Sequence, residues 1–311
     1  MSPQAFITTS WDDGHPLDLR LAELLAKYGL RGTFYVPMIA PNGTMTPAQM
    51  RELSAAGAEI GAHTLHHAVL TRASEQEAWE EITRSKSWVE NITGMGCQMF
   101  CAPEGRFQSR HVEMIRAAGY LGLRSVELLS IDFPRWKSGV MLLPTTVQAY
   151  PHGCIALARN ATKRLAFPNL WRAITHGSSF EWPQLARSLL RQTLSYGGVF
   201  HLWGHSWELK ETGQWQRLEE TLRVLSEATG RAQVLTNGQL CRQSLAQLRS
   251  DEAGPQPNGR DPENGIQSFP FAAQTARGEI DRDSIVSAVC RSPHSFLRST
   301  IEQLGSEGRS K

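Results

Sequence analysis

The sequence predicts an α/β fold, a parallel sheet or barrel with helices on its outer face. Two observations carry this. Apolar, β-branched runs alternate with amphipathic helical segments from the first residues onward. Carboxylates and imidazoles gather where the strand-like runs end, which is where such folds carry their chemistry.

The elements follow in order. AFITTSW (5–11) reads as a strand and DDGHP (12–16) as a turn. In PLDLRLAELLAKYG (16–29), Leu17, Leu21, Leu24, Leu25 and Tyr28 repeat at helical spacing, with Pro16 suited to the first turn and Gly29 to the end. GTFYVP is a short strand. TPAQMRELSAAG is a helix with Thr46 as its N-cap and Pro47 after it. AEIGAH is a strand ending in His63, and SEQEAWEEITRSKSWVENITG is a long amphipathic helix. CQMFCAP, SRHVEMIRAAG and YLGLRSV continue as strand, helix and strand, and the pattern loosens between about 127 and 180. WPQLARSLLRQTLSYGG is a helix, VFHLWGH a strand ending in His205, GQWQRLEETLRVLSEATG a helix and AQVLT a last short strand. Beyond residue 247 the chain turns rich in Pro, Gly, Asn and charge, the composition of a disordered segment. It holds one weakly apolar stretch, DSIVSAVCRSPHSFLRSTIEQL, expected as a short helix broken near Pro293. The organisation expected is one folded domain over 1–247 and a low-complexity, disordered tail over 248–311.

Composition narrows the function. At 311 residues with 41% hydrophobic and 20% charged residues, the chain is that of a soluble globular protein. A net charge of +2 makes no case for nucleic acid or a membrane surface. Neither a long apolar run nor a basic-then-apolar leader is present in MSPQAFITTSWDD, so a cytoplasmic location is expected. The five cysteines, Cys97, Cys101, Cys154, Cys241 and Cys290, fit neither a disulfide framework nor a zinc ribbon and read as buried or idle thiols.

Three clusters carry chemistry. In SWDDGHP, Asp12 and Asp13 repel each other at a strand mouth, a cost that a cation or an Arg removes. In HTLHH, His63 and His67 are four apart, a spacing that one helical turn would place on a single face to bind one metal; a solvated helix start holding three His is the bland alternative. Two His and the Asp13 carboxylate make a common catalytic metal set. In HLWGHSWE, His205 stands between Trp203 and Trp207, an arrangement that suits a sugar-binding wall or an ordinary aromatic core.

Together, over roughly residues 5–240, these motifs resemble those of the polysaccharide deacetylases, the carbohydrate esterases of family four. SWDDG resembles the first motif, HTLHH the second and GHSWE the last. The resemblance implies a distorted (β/α) barrel of about seven strands. It implies Asp12 as catalytic base, Asp13, His63 and His67 as ligands of one divalent metal ion, and His205 as general acid. The donor set suits zinc. The third motif departs from the family pattern Arg-x-Pro-Tyr/Phe-Gly. Here it reads CAPEG, with Cys101 in place of the Arg that braces the base and Glu104 in place of the aromatic. Arg124, at another strand end, is the candidate replacement, and Arg106 a weaker one. Pro103 marks the loop expected to offer a backbone N–H to the oxyanion, and an acidic neighbour is expected to keep His205 protonated. The implied reaction is removal of an acyl group from an N-acetylated sugar or polysaccharide. Hydrolysis of a small amide or ureide on the same fold is an alternative, as is a non-catalytic binding protein on a degenerate barrel.

Overall fold

The computed structural model describes residues 4–152, 160 and 181–252. The chain divides into two units, Met1–Leu245 and Ala246–Lys311.

In the first unit, β1 (Ala5–Asp12), β2 (Gly32–Val36), β3 (Glu59–Ala62), β4 (Met99–Cys101) and β5 (Gly122–Arg124) pair side by side, all parallel. They are followed by β6 (Arg135–Lys137), β7 (Val140–Leu143), β8 (Val147–Gln148), β9 (Gly198–Gly204) and β10 (Gln233–Val234). The helices are α1 (Asp18–Lys27), α2 (Pro47–Ala55), α3 (Glu75–Thr93), α4 (Ser109–Ala117), α5 (Trp182–Tyr196), α6 (Ser206–Glu211), α7 (Trp215–Glu227) and α8 (Asn237–Glu252). Helix starts follow local chemistry. Thr46 and Ser74 close capping boxes with Gln49 and Glu77, and Gly94 ends α3 at φ 68°. Every residue of β1 and β9 is buried, as expected of parallel strands covered on both faces.

The sheet runs β6-β7-β5-β4-β3-β2-β1-β9-β8. Its closure lies in the segment 140–148. β7 pairs with β5, whereas β8, three residues further on, pairs with β9. Between them the Thr145 N–H donates to Glu127 O and the Thr146 N–H to His201 O, so one bent segment hydrogen-bonds to both sides. Counting it once, seven staves return on themselves: the distorted barrel that the motifs imply. This closing segment falls in the stretch where the sequence pattern is loose. β6 is antiparallel to β7 and fully exposed, outside the ring.

The barrel's lower mouth, where the strands begin, is filled by the start of α8. Leu240 and Cys241 join Phe6, Tyr35, Met99 and Val199 in one buried cluster. Asn237 accepts from Thr8 Oγ1 at 2.8 Å and donates to Tyr35 Oη at 2.9 Å. The helix is absent from the sequence reading and passes the expected domain limit at 247, continuing to Glu252. Residues 253–311, with the expected broken helix and Cys290, lie outside the described residues, as does Cys154. Cys97, Cys101 and Cys241 are buried free thiols. Among the described residues, no helix is long and apolar enough to cross a membrane.

Candidate active site

At the upper mouth, where the strands end, a cavity of about 370 Å³ is lined by Asp12, Asp13, His63, His67, Trp203, His205 and Trp207 among others. β1 delivers the first two. Asp12 is its last residue, and Asp13 and Gly14 follow in left-handed conformation, at φ 74° and 58°. This tight turn breaks the strand's alternation, so neighbouring carboxylates line one cavity. Gly14 is required there, because a Cβ would stand 2.5 Å from Val36 Cγ1. Gly14→Ala is expected to cost more than about 1 kcal/mol of stability and to weaken metal binding; thermal unfolding and metal titration check both.

The histidine pair is not built on a helical turn, contrary to the spacing argument. β3 stops at Ala62, and the following residues form a loop with Thr64 at φ 58° and His67 at φ 54°. Glu81 of α3 holds this loop, accepting from the Leu65 and His66 amides at 2.8 Å each and bonding His66 Nδ1 at 2.6 Å. His66 is thereby held away from the pair, while His63 and His67 face Asp13. Their Nε2 atoms lie 3.4 and 3.1 Å from Asp13 Oδ1. His63 Nδ1 donates to the Cys101 carbonyl at 2.8 Å, which turns Nε2 toward the carboxylate.

This set fits a metal ion. Asp13 Oδ1 is buried and has no hydrogen-bond partner among the described residues, and it converges with two imidazole nitrogens as one donor set. Two ligands about 2.1 Å from a tetrahedral zinc stand roughly 3.4 Å apart, close to the separations seen. The other Asp13 oxygen, Oδ2, accepts from Trp207 Nε1 at 2.9 Å. Trp207 thus orients Asp13 as well as lining the cavity, a role its reading as a sugar wall did not include.

Arg124 occupies the place the third motif leaves empty. It is the cross-strand partner of Cys101, its neighbour on β5, and is fully buried. Its Nη2 donates to both oxygens of Asp12. Tyr35 and Trp203 flank the guanidinium, with ring centroids 5.3 and 4.7 Å from Cζ. Trp203, only 6% exposed, therefore packs on the brace more than it faces solvent. Arg106 does not reach Asp12; it is exposed and pairs with Glu104 at 3.1 Å. Pro103 is buried in the turn Pro103–Gly105, and the cavity is lined by Glu104 and Gly105 instead. The amides of Gly105 and Arg106 donate to Ala102 O and Pro103 O, so these two are engaged within the turn and not directed at an oxyanion.

His205 caps the start of α6. Its Nε2 faces the carboxylates, 4.0 Å from Asp12 Oδ2 and 3.9 Å from Asp13 Oδ2, and its Nδ1 bonds Glu208 Oε2 at 2.6 Å. Glu208 is the acidic neighbour the motif reading expected without naming; its spacing three residues into a helix start was the available signal. Burial opposes charging His205, but Glu208, Asp12 and Asp13 outweigh it and bring the pKa up to about 9. Burial likewise opposes ionising Asp12, and Arg124, His63 and His205 overcome it, holding the carboxyl below its usual range. An ionised carboxylate and a protonated imidazole thus stand in one cavity.

Residues 2–123 match the family model for polysaccharide deacetylase. A curated relative, the putative polysaccharide deacetylase YxkH of Bacillus subtilis (strain 168), is 26% identical over 117 residues, which are 37% of this chain and 42% of the relative. The match therefore spans less than half the length of that relative. A solved structure, the putative polysaccharide deacetylase from Mycobacterium smegmatis, superposes with a TM-score of 0.53 over 85% of this chain and 96% of that one, at 15% identity, and shares the fold.

Proposed function

We propose, from the match of residues 2–123 to the polysaccharide deacetylase model, that the chain is a metal-dependent hydrolase that removes the acetyl group from an N-acetylated sugar. The observation that carries this reading is the convergence of Asp12, His205 and the Asp13–His63–His67 set in one cavity, with acid and base in opposite protonation states. A divalent ion held by Asp13, His63 and His67, for which zinc is the best match, supplies polarisation of the acyl carbonyl and of water.

The chain's own residues do the proton work. The Asp12 carboxylate, held ionised and aimed by Arg124, takes the proton from the attacking water. His205 Nε2, protonated and oriented by Glu208, gives its proton to the leaving nitrogen as the C–N bond breaks. The products are an amine and acetate. The cavity volume falls within the range of about 300–1,000 Å³ typical of small-ligand pockets.

A screen over N-acetylated sugars, their oligomers and small amides tests the proposal, with released acetate and amine as readouts. Acetate release is expected from the sugars. It should fall to background after dialysis against a chelator and return on adding zinc, cobalt or manganese. Turnover by fully chelated protein, or one equivalent of metal with no hydrolysis of any N-acetyl substrate, contradicts the proposal. Absence of bound metal would favour a binding protein on a degenerate site.

A further inference from the structure

Asp18 presents an anomaly. It opens α1, six residues after Asp12, and is fully buried. Helix-initial carboxylates ordinarily stand in solvent, where the helix dipole favours them. Here neither carboxyl oxygen closes a hydrogen bond of good geometry among the described residues. A buried unpaired carboxylate costs several kcal/mol, so such a group is retained as the neutral acid or is held for a role. Ser206, itself fully buried, is the side chain that faces it as a hydrogen-bonding group, and its Oγ also lacks a closed partner. The charged groups nearby are Asp13, Asp12 and His205. Burial raises the Asp18 carboxyl well above its usual range, opposed by Ser206 and His205 and assisted by Asp13 and Asp12.

Ser206 lies within His205–Glu208, where each residue has a task. His205 Nε2 faces the cavity, Trp207 holds Asp13, and Glu208 holds His205. The Ser206 hydroxyl is the member left without a hydrogen bond among the described residues, and Asp18 lies against it. On the other side, Asp18 is fixed by its backbone, whose N–H donates to His15 O at 2.8 Å in the turn that follows Asp13 and Gly14. The segments that follow β1 and β9 therefore meet at two places, Asp13–Trp207 and Asp18–Ser206.

We propose that Asp18 is a positioning residue for the proton donor: through its buried contact with Ser206 it sets the first turn of α6, and so the reach of His205 toward the scissile nitrogen. The proposal rests on the deacetylase reading. One residue governs the placement of the acid relative to base and metal without touching substrate. Asp18→Asn preserves shape and a donor to Ser206, whereas Asp18→Ala and Ser206→Ala remove the contact from either side.

The test measures kcat, KM and metal content for wild type and the three variants on the best N-acetylated substrate. Asp18→Ala and Ser206→Ala are expected to lower kcat by tenfold or more at unchanged KM and full metal content, and Asp18→Asn to stay within threefold of wild type. Wild-type kcat in either Ala variant overturns the inference, as does an Asn variant as impaired as the Ala variant. A loss of metal in step with kcat also overturns it, because the contact would then serve Asp13. Ser206→Ala keeps the test open if Asp18→Ala fails to fold. An inactive wild type sinks the deacetylase reading instead, which separates the two failures.

Discussion

Asp12→Asn is expected to keep its metal and lose kcat by about 10²–10⁴-fold, while Asp13→Asn loses both metal and activity. The neighbours are both carboxylates at one strand end, yet their surroundings divide them. Asp12 is held by the Arg124 guanidinium, with His205 Nε2 standing 4.0 Å away. Asp13 presents one oxygen to two imidazole nitrogens and the other to Trp207. An amide at 12 keeps the shape but cannot accept the water proton at neutral pH. An amide at 13 removes the charge that two neutral imidazoles require to hold a divalent ion. Metal content by elemental analysis, read beside kcat, checks both. Full metal occupancy in Asp13→Asn, or a wild-type rate in Asp12→Asn, contradicts the division of labour.

Arg124→Ala is expected to be the most damaging single change to stability. It leaves Asp12 buried without its cation, a loss of about 3–5 kcal/mol, and it removes the group that aims the base. Arg124→Lys should recover little, because an ammonium cannot reproduce a guanidinium stacked between Tyr35 and Trp203. The pair's stabilising effect has a defined pH sense. The Asp12 carboxyl is depressed in the folded state, so the contribution is present at neutral pH and is lost as pH falls through that depressed value. The melting temperatures of wild type and Arg124→Ala should therefore converge in acid. The register suggests a rescue: Cys101 and Arg124 are cross-strand partners, so Cys101→Arg in the Arg124→Ala background should restore part of the activity. Added to the wild type, the same change places two cations in one buried site and should destabilise it. Equal melting curves for wild type and Arg124→Ala at neutral pH would refute the brace.

Much of this molecule is legible in the sequence, because the signals concerned are local. Helical periodicity locates α1 and α3, and Thr46 and Ser74 carry their capping chemistry in the residues themselves. The β1, β3 and β9 ends are visible because an apolar run stops at an ionisable residue. Other parts are not legible. β7 and β8 are four and two residues long, and each is defined by a partner distant in sequence. No periodicity can register over two residues. The start of α8 carries few strongly periodic apolar residues, since Asn237 and Cys241 are chosen for what they meet at the barrel mouth. His63 and His67 share a face for a reason their spacing did not supply, namely a loop with left-handed residues held by Glu81.

Local signals in the chain carry the class of fold, the positions of the strand ends and the inventory of chemical groups: two carboxylates, two paired imidazoles, a third imidazole after a strand, and a missing Arg at Cys101. Which of these groups meet depends on the folded arrangement. It closed the barrel through the bent segment 140–148, brought Arg124 from β5 onto Asp12, set Glu208 behind His205, turned Trp207 into a support for Asp13, and buried Asp18 at the start of α1. The reason is physical. Propensity and capping act over a few residues and are written locally, whereas burial, charge pairing and orientation act between residues up to about two hundred positions apart and take their values only when the strands are in register.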